Sequence, residues 1–97
     1  MSKEPNPEEF YAKLKMQLQD TALWPTVYLY KFIVKSKVSK IEAIEAIFNH
    51  TGAVINRKES SNGKYTSVSI NVRMKNPDAV IKKYMEVSEK VEGVISL

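Results

Sequence analysis

The first regular pattern along the chain is helical. In the stretch EEFYAKLKMQLQD, residues 8–20, apolar side chains recur every four residues at Phe10, Leu14 and Leu18, and polar side chains fill most positions between them. This spacing predicts an amphipathic helix. Trp24-Pro25 should follow its end, because the residue before a proline is disfavoured in helical geometry. We expect the helix to lie on its own domain rather than on a membrane or a partner.

The next segment, TVYLYKFIVK from Thr26 to Lys35, is rich in β-branched and aromatic residues and predicts a strand. One side of this strand carries the aromatic residues Tyr28, Tyr30 and Phe32, and the other carries Lys31 and Lys35. Burying an unpaired ammonium group costs free energy. The lysine side should therefore face water, and the aromatic side should face the core.

Two further helices are marked by capping patterns. Ser39-Lys-Ile-Glu42 has the form of a capping box, and its helix should run towards a left-handed stop at Gly52. Asn76-Pro77-Asp78 supplies a second cap, with proline at the first helical position, and Gly93 should end that helix. Both segments carry apolar residues at helical spacing, which predicts one buried side for each helix.

A hairpin is predicted between the two helices. Ala53 to Glu59 forms a modest strand pattern, and Asn62-Gly63 is a strong turn signal before KYTSVSINVRM, residues 64–74. That second strand alternates cleanly between Thr66, Val68, Ile70, Val72 and Met74 on one side and Tyr65, Ser67, Ser69, Asn71 and Arg73 on the other. VISL, Val94 to Leu97, is a short closing strand.

The order of elements is one helix followed by βαββαβ. This order predicts an α+β, ferredoxin-like sandwich with a four-stranded antiparallel sheet, two helices on one face and an additional N-terminal helix. We assign residues 1–23 to an N-terminal tail and helix, and residues 24–97 to the ferredoxin-like domain. At 97 residues the chain has the usual size of one domain.

The polar side of the long strands is the candidate binding surface. A solvated sheet face explains the alternation without any ligand, and a binding face is the alternative. Short hydroxyls beside an aromatic ring and cations offer hydrogen bonds and charge to a small metabolite or a protein partner. The residues predicted to form this contact set are Lys31, Tyr65, Ser67, Ser69, Asn71 and Arg73.

Two other functions use the same architecture. RNA-recognition domains stack bases on strand aromatics, but Tyr65 is the one match in three to their third-strand pattern, so single-stranded RNA binding ranks second and nucleic acid is not the expected partner. A structural or dimerising role ranks third, because an exposed edge strand can pair with a second copy and give a homodimer.

Catalysis finds no support in the residue pattern. The chain has no cysteine, and its one histidine, His50, has no partner at the spacing of a catalytic triad or a metal site. We therefore expect no enzyme activity, no metal and no cofactor. A weaker hypothesis is an anion site beside a helix start, formed by Lys35, Ser36, Lys37 and Ser39.

The charge and hydropathy of the chain indicate which binding partners and which cellular location to expect. The net charge is +4, with 15 Lys and Arg against 11 Asp and Glu, and the lysines are spread along the chain. This balance allows attraction to acidic partners without resembling the clustered charge of a dedicated nucleic-acid binder. No apolar run approaches the length of a membrane span, so we expect a cytoplasmic protein.

Three segments of the chain are similar to a known family: WPTVYLYKF, SSNGKYTSVSINV and VEGVISL. They resemble the YbeD-like family of small bacterial proteins of unknown function, most specifically at Ser60, Ser61, Gly63, Tyr65, Ser67, Val68 and Ser69. The resemblance covers residues 23–97. It implies a ferredoxin-like fold similar to ACT regulatory domains, which bind amino acids and control metabolic enzymes, and it implies no catalytic residues. Those domains use a glycine turn after their first strand, where this chain has Lys35-Ser36-Lys37-Val38.

Overall fold

The computed structural model describes residues 7–96 and contains three helices and four strands in this range. Their bounds are α1 Pro7–Thr21, β1 Thr26–Lys35, α2 Val38–Ile47, β2 Val54–Glu59, β3 Tyr65–Met74, α3 Pro77–Lys90 and β4 Ile95–Ser96. The strands form one antiparallel sheet in the order β2-β3-β1-β4. This is the predicted α+β, ferredoxin-like architecture with an N-terminal helix. The closing strand begins at Ile95, one residue later than predicted. Its predicted last residue, Leu97, lies outside the described range, as do residues 1–6. The domain boundary at residue 23 stays a prediction.

The two central strands carry the core on one side. Tyr30 and Phe32 of β1 are fully buried, as are Val68 and Ile70 of β3. Tyr30 stacks on Phe32 with ring centroids 5.7 Å apart and lies 5.0 Å from the ring of Phe48, at the end of α2. The alternation read from the sequence is confirmed, because the aromatic side of β1 and the Val68–Ile70 side of β3 are buried under α2 and α3.

Tyr30 also ties the sheet to α3 by a buried hydrogen bond. Its hydroxyl donates to the carbonyl oxygen of Val80 at 3.0 Å. Burial raises the pKa of the Tyr30 phenol above its ordinary value, and the neighbouring Tyr28 adds to this shift. The neutral phenol is therefore the form that the folded core holds.

The N-terminal helix packs on its own domain, as expected. Leu18 is buried, and the carbonyl oxygen of Leu18 accepts a hydrogen bond from Trp24 Nε1 at 3.0 Å. Lys15 pairs with Asp78 in the first turn of α3 at 2.8 Å. One end of α1 is thus held by the chain that follows it and its middle by α3.

The cap of α3 is confirmed and the cap of α2 is not. Asn76 accepts a hydrogen bond from the backbone N–H of Ala79 at 2.8 Å, as predicted. The capping box at Ser39 is wrong, because α2 begins at Val38 with Lys37 as the N-cap and no side chain bonded there.

Contacts with β3 explain this earlier start. The Ser36 backbone N–H donates to the Lys64 carbonyl, and the Ser36 hydroxyl is bonded to the Thr66 hydroxyl at 2.8 Å. The chain is thus fixed at Ser36 and turns into the helix directly afterwards, which leaves Ser39 inside the first turn.

The end of α2 also differs from the sequence-based expectation. Gly52 has the left-handed φ of 76° that was predicted, but the helix has already ended at Ile47. The Lys83 ammonium of α3 donates to the free carbonyl of Ile47 at 2.7 Å. A side chain from another helix thus satisfies a carbonyl at the end of α2.

The N-cap residue of α2, Lys37, makes no capping hydrogen bond with its side chain, and this leads to a prediction about stability. Lys37→Ser should raise the free energy of unfolding by about 0.5–1 kcal/mol, because a hydroxyl at Lys37 can accept from a free N–H of the first turn. Ser39→Ala should change it by less than about 0.5 kcal/mol. Urea unfolding followed by circular dichroism measures both. Lys37→Gln controls for removing a positive charge near the helix start. If Ser39→Ala lowers the free energy of unfolding by about 1 kcal/mol, the prediction is contradicted and Ser39 caps α2.

The buried phenol of Tyr30 generates a pH prediction. Folding raises the pKa of the Tyr30 phenol. The contribution of this shift to the free energy of unfolding is therefore complete below about pH 10, where the phenol of unfolded tyrosine ionises, and it is lost as the pH rises further. Above that pH, Tyr30→Phe should make the decline of unfolding free energy shallower by about 1.4 kcal/mol per pH unit. Urea titrations across the alkaline range test this. The same comparison at neutral pH isolates the lost hydrogen bond to Val80, and equal alkaline slopes for both proteins would contradict the prediction.

Candidate functional site: the open sheet face

The sheet surface opposite α2 and α3 carries the predicted contact set; we call it the open face. Residues paired across neighbouring strands share a side of the sheet, so the register defines its members. They are Val27, Leu29, Lys31, Ile33 and Lys35 of β1, Val54, Asn56 and Lys58 of β2, Tyr65, Ser67, Ser69, Asn71 and Arg73 of β3, and Ile95 of β4. All six residues proposed from the sequence lie on this face.

The strand register arranges these side chains in rows across the sheet. Lys31 is opposite Ser69, which is opposite Asn56 on its other side. In the next row the order is Lys58, Ser67, Ile33 and Ile95. Hydroxyl groups therefore occupy the middle of the face, and lysines flank them from both neighbouring strands.

Four cations and no carboxylate occupy the outward positions of the described strands. The cations are Lys31, Lys35, Lys58 and Arg73. The one acidic residue of β2, Glu59, pairs with the buried Thr66 and therefore points to the helix side. None of the four cations has an ion pair with another residue in the range 7–96. Their charge is available to an external anion.

The other arginine of the chain has a structural role. Arg57 lies on the helix side of β2 and binds the Glu45 carboxylate of α2 through Nε at 2.6 Å and through Nη2. This pairing lowers the pKa of Glu45, chiefly through the hydrogen bond from Arg57. Arg57 thus joins the edge strand to a helix and does not contribute to the open face.

Uncharged residues complete the open face. Ser67, Ser69 and Asn71 are partly exposed, and within the described residues their side chains make no hydrogen bond to other protein groups. Apolar residues lie beside them, with Val27, Leu29, Val54 and Ile95 each more than half exposed. The face therefore combines positive charge, free hydrogen-bonding groups and apolar area.

Sequence reasoning missed the contribution of β2 to this face. Val54, Asn56 and Lys58 are brought beside the serines of β3 by the hairpin register. Placing the Asn62-Gly63 turn in register would have indicated this neighbourhood. The scattered lysine positions along the chain do not show that strand pairing gathers four cations on one surface.

The four residues of the predicted anion site lie between the end of β1 and the first turn of α2. Lys35 belongs to the open face, opposite Tyr65. The Ser36 hydroxyl is engaged with Thr66, Lys37 is the N-cap of α2, and Ser39 lies within its first turn. Of the four residues, Lys35 is the one that adds to the open-face charge.

Most aromatic side chains of the sheet lie on its helix side. Tyr28, which would have to join Tyr65 on the outer surface, lies on the helix side, where its hydroxyl is 2.8 Å from the hydroxyl of Tyr84. Tyr65 is the one aromatic side chain on the open face of the described strands. A stacking surface with several rings is therefore not present there.

The family model that matches the chain extends over residues 19–95 and thus over β1, α2, β2, β3, α3 and the first residue of β4. The chain belongs to the family described as "Protein of unknown function (DUF493)". This DUF493 assignment agrees with the resemblance to small uncharacterised YbeD-like proteins. No curated protein and no solved structure matches the chain.

Three structural observations complete the description of this DUF493 protein. Across residues 7–96, no helix combines the length and apolar character that crossing a membrane requires. In the same range, no three His, Asp or Glu side chains are grouped as metal ligands would be. His50 is exposed in the turn that follows α2, in a left-handed backbone conformation with φ 63°.

Proposed function

We propose that this DUF493 protein is a non-catalytic, regulatory binding module that contacts an acidic protein partner through its open face. The observation that carries the proposal is that four cations lie together on one sheet surface, with no ion pair and no outward carboxylate among the described strands. The contact set is Lys31, Tyr65, Ser67, Ser69, Asn71 and Arg73, together with Lys35 and Lys58.

The composition of the open face supports recognition of a macromolecule. Protein interfaces combine apolar area with hydrogen bonds and a charged margin. Leu29, Ile33 and Ile95 supply apolar area beside the serines, and the four cations lie among and beside these residues. Small molecules bind in concave sites. A surface that extends across four strands suits an acidic protein segment better than a metabolite.

The charge of the face should control affinity. The double variant Lys31→Glu with Lys58→Glu places two carboxylates beside Ser69 and Ser67, which follow one another along β3 and which we call the serine row. It should weaken binding of an acidic probe about tenfold or more. Poly-L-glutamate serves as the probe, and amide shifts of β1 and β3 in NMR titrations report binding. The matched control, Lys13→Glu with Lys82→Glu, changes net charge equally on exposed positions of α1 and α3. Equal weakening in both double variants would show that net charge alone controls binding, and it would contradict a binding site on the open face.

The serine row should control access. Ser67→Leu with Ser69→Leu puts bulk in the middle of the face and removes two hydroxyls, so probe binding should be lost while the amide spectrum keeps its folded dispersion. Ser67→Thr with Ser69→Thr retains both hydroxyls on residues suited to strands and should bind like the natural protein. Unchanged affinity in the leucine variant would show that the probe binds elsewhere.

Single-stranded RNA is the second candidate, because its phosphates can also bind cations that have no ion-pair partner in the protein. A mixed-sequence RNA oligonucleotide, titrated in the same way as poly-L-glutamate, distinguishes RNA binding from binding of an acidic protein. RNA binding would give a steep salt dependence and shifts centred on Tyr65, which can stack on a base. The single ring on this face favours the protein partner. Tighter binding of the oligonucleotide than of poly-L-glutamate would reverse the ranking.

Self-association is the third candidate. The edge pairing considered from the sequence would use β4, whose two residues offer little backbone to a second copy. Face-to-face pairing of two copies would bring eight cations together, since each open face carries four. Like charges oppose that arrangement. Light scattering over a concentration series at low salt should therefore give a monomer, and a dimer that persists there would favour the dimerising role.

A further inference from the structure

A second candidate site lies on the opposite side of the sheet, between α1 and the rest of the domain. The structure has a cavity of about 320 Å³ there. Its walls come from α1, the first half of β1, α3 and the closing segment. Six of its lining residues are Phe10, Tyr11, Leu14, Tyr28, Tyr84 and Ser88. The volume lies within the range of small-molecule pockets, roughly 300–1,000 Å³.

The lining is apolar and uncharged. Aromatic and aliphatic side chains dominate, the polar groups are hydroxyls, and no charged side chain lines the cavity among the described residues. An ion placed against this lining would lose part of its hydration without gaining an opposite charge. Burial raises the pKa of the Tyr84 phenol, which also bonds to Tyr28. This shift agrees with a site that disfavours anions.

Of the two hydroxyl hydrogens of the tyrosine pair at this cavity, one is not used by the hydrogen bond between the two residues. The hydroxyls of Tyr28 and Tyr84 are 2.8 Å apart, and either can be the donor. Two hydroxyls carry two hydrogens, and the bond between them uses one. Neither hydroxyl has another protein partner within residues 7–96. Whichever tyrosine donates, the pair presents one O–H to the cavity or to solvent.

We infer that this cavity binds a small, neutral, largely apolar molecule with one hydrogen-bond acceptor, such as an aromatic ketone, and that the Tyr28–Tyr84 pair donates to that acceptor. Its apolar body fills the space between α1 and α3. The wall formed by Phe10, Tyr11 and Leu14 lies outside residues 19–95, so the site depends on a part of the chain that the DUF493 match does not include.

Three probes of nearly equal size test the ligand class by NMR titration of the full chain. Acetophenone is neutral and carries an acceptor, isopropylbenzene lacks the acceptor, and benzoate is an anion. Acetophenone should give saturable shifts at the amides of Ser88 and Val94 and bind about fivefold to tenfold more tightly than the hydrocarbon. Benzoate should bind most weakly. Absence of saturation with acetophenone, equal affinity for the hydrocarbon, or a preference for benzoate would each overturn the inference.

Phenylalanine variants test the donor. Tyr28→Phe and Tyr84→Phe each retain one hydroxyl, so either single variant should keep most of the preference for acetophenone. The double variant lacks the donor of the tyrosine pair, while the hydroxyls of Tyr11 and Ser88 remain in the lining. Its affinity for acetophenone should fall close to that for isopropylbenzene. Both rings remain in place, and the amide spectrum checks the fold. A preference that survives in the double variant would overturn the role of the tyrosine pair.

A blocking variant tests the location. Ser88 is exposed at the cavity on α3, and Ser88→Phe should fill the space and abolish binding of both neutral probes. Glu89→Phe adds the same side chain at the next position, which does not line the cavity, and should leave binding unchanged. Neither substitution lies on the open face, so poly-L-glutamate binding should persist in both. Unchanged acetophenone binding in Ser88→Phe would place the probe elsewhere and overturn the inference.

Discussion

The pairing of β1 with β3 is the interaction on which the rest of the structure depends. The two ten-residue strands pair along their full length, from Thr26 opposite Met74 to Lys35 opposite Tyr65. Because side chains alternate across a sheet, a slip of one residue would turn Lys31 towards the core and Tyr30 towards water. The burial of the aromatic side chains and the exposure of the lysines thus enforce the same register.

Much of this fold was predictable because local signals agree with tertiary packing. The bounds of β1 and the asparagine cap of α3 follow from short patterns that need no distant contact. The start of α2 was not predictable in this way, because Ser36 is held by Thr66, thirty residues further along the chain. A local capping pattern at Ser39 carries no information about that anchor.

The two candidate sites show a similar contrast. The serine row of β3 is visible in the sequence, since alternation with period two places it on one side. The gathering of Lys31 and Lys58 around that row depends on which strands are neighbours, which a scattered set of lysines does not reveal. The cavity beside Tyr84 is harder still to predict, because a space between helices results from how α1 and α3 pack and leaves no periodic signal.

One strand serves both surfaces without joining them. Tyr28 lines the cavity, and Leu29, the next residue, belongs to the open face on the other side of the sheet. The fold thus offers a mainly apolar, uncharged recess and a broad cationic surface, separated by the thickness of one sheet. Each has its own chemistry, and molecules suited to one are poorly suited to the other.

The outer strands of the sheet carry a consequence for assembly. β2 presents the successive charges Arg57, Lys58 and Glu59 along its free margin, with Arg57 already held by Glu45. β4, at the other margin, is a two-residue ladder. Charged residues and very short strands at the margins are features by which proteins resist sheet extension between molecules. Growth of this sheet into a continuous, many-copy ribbon is therefore opposed at both ends.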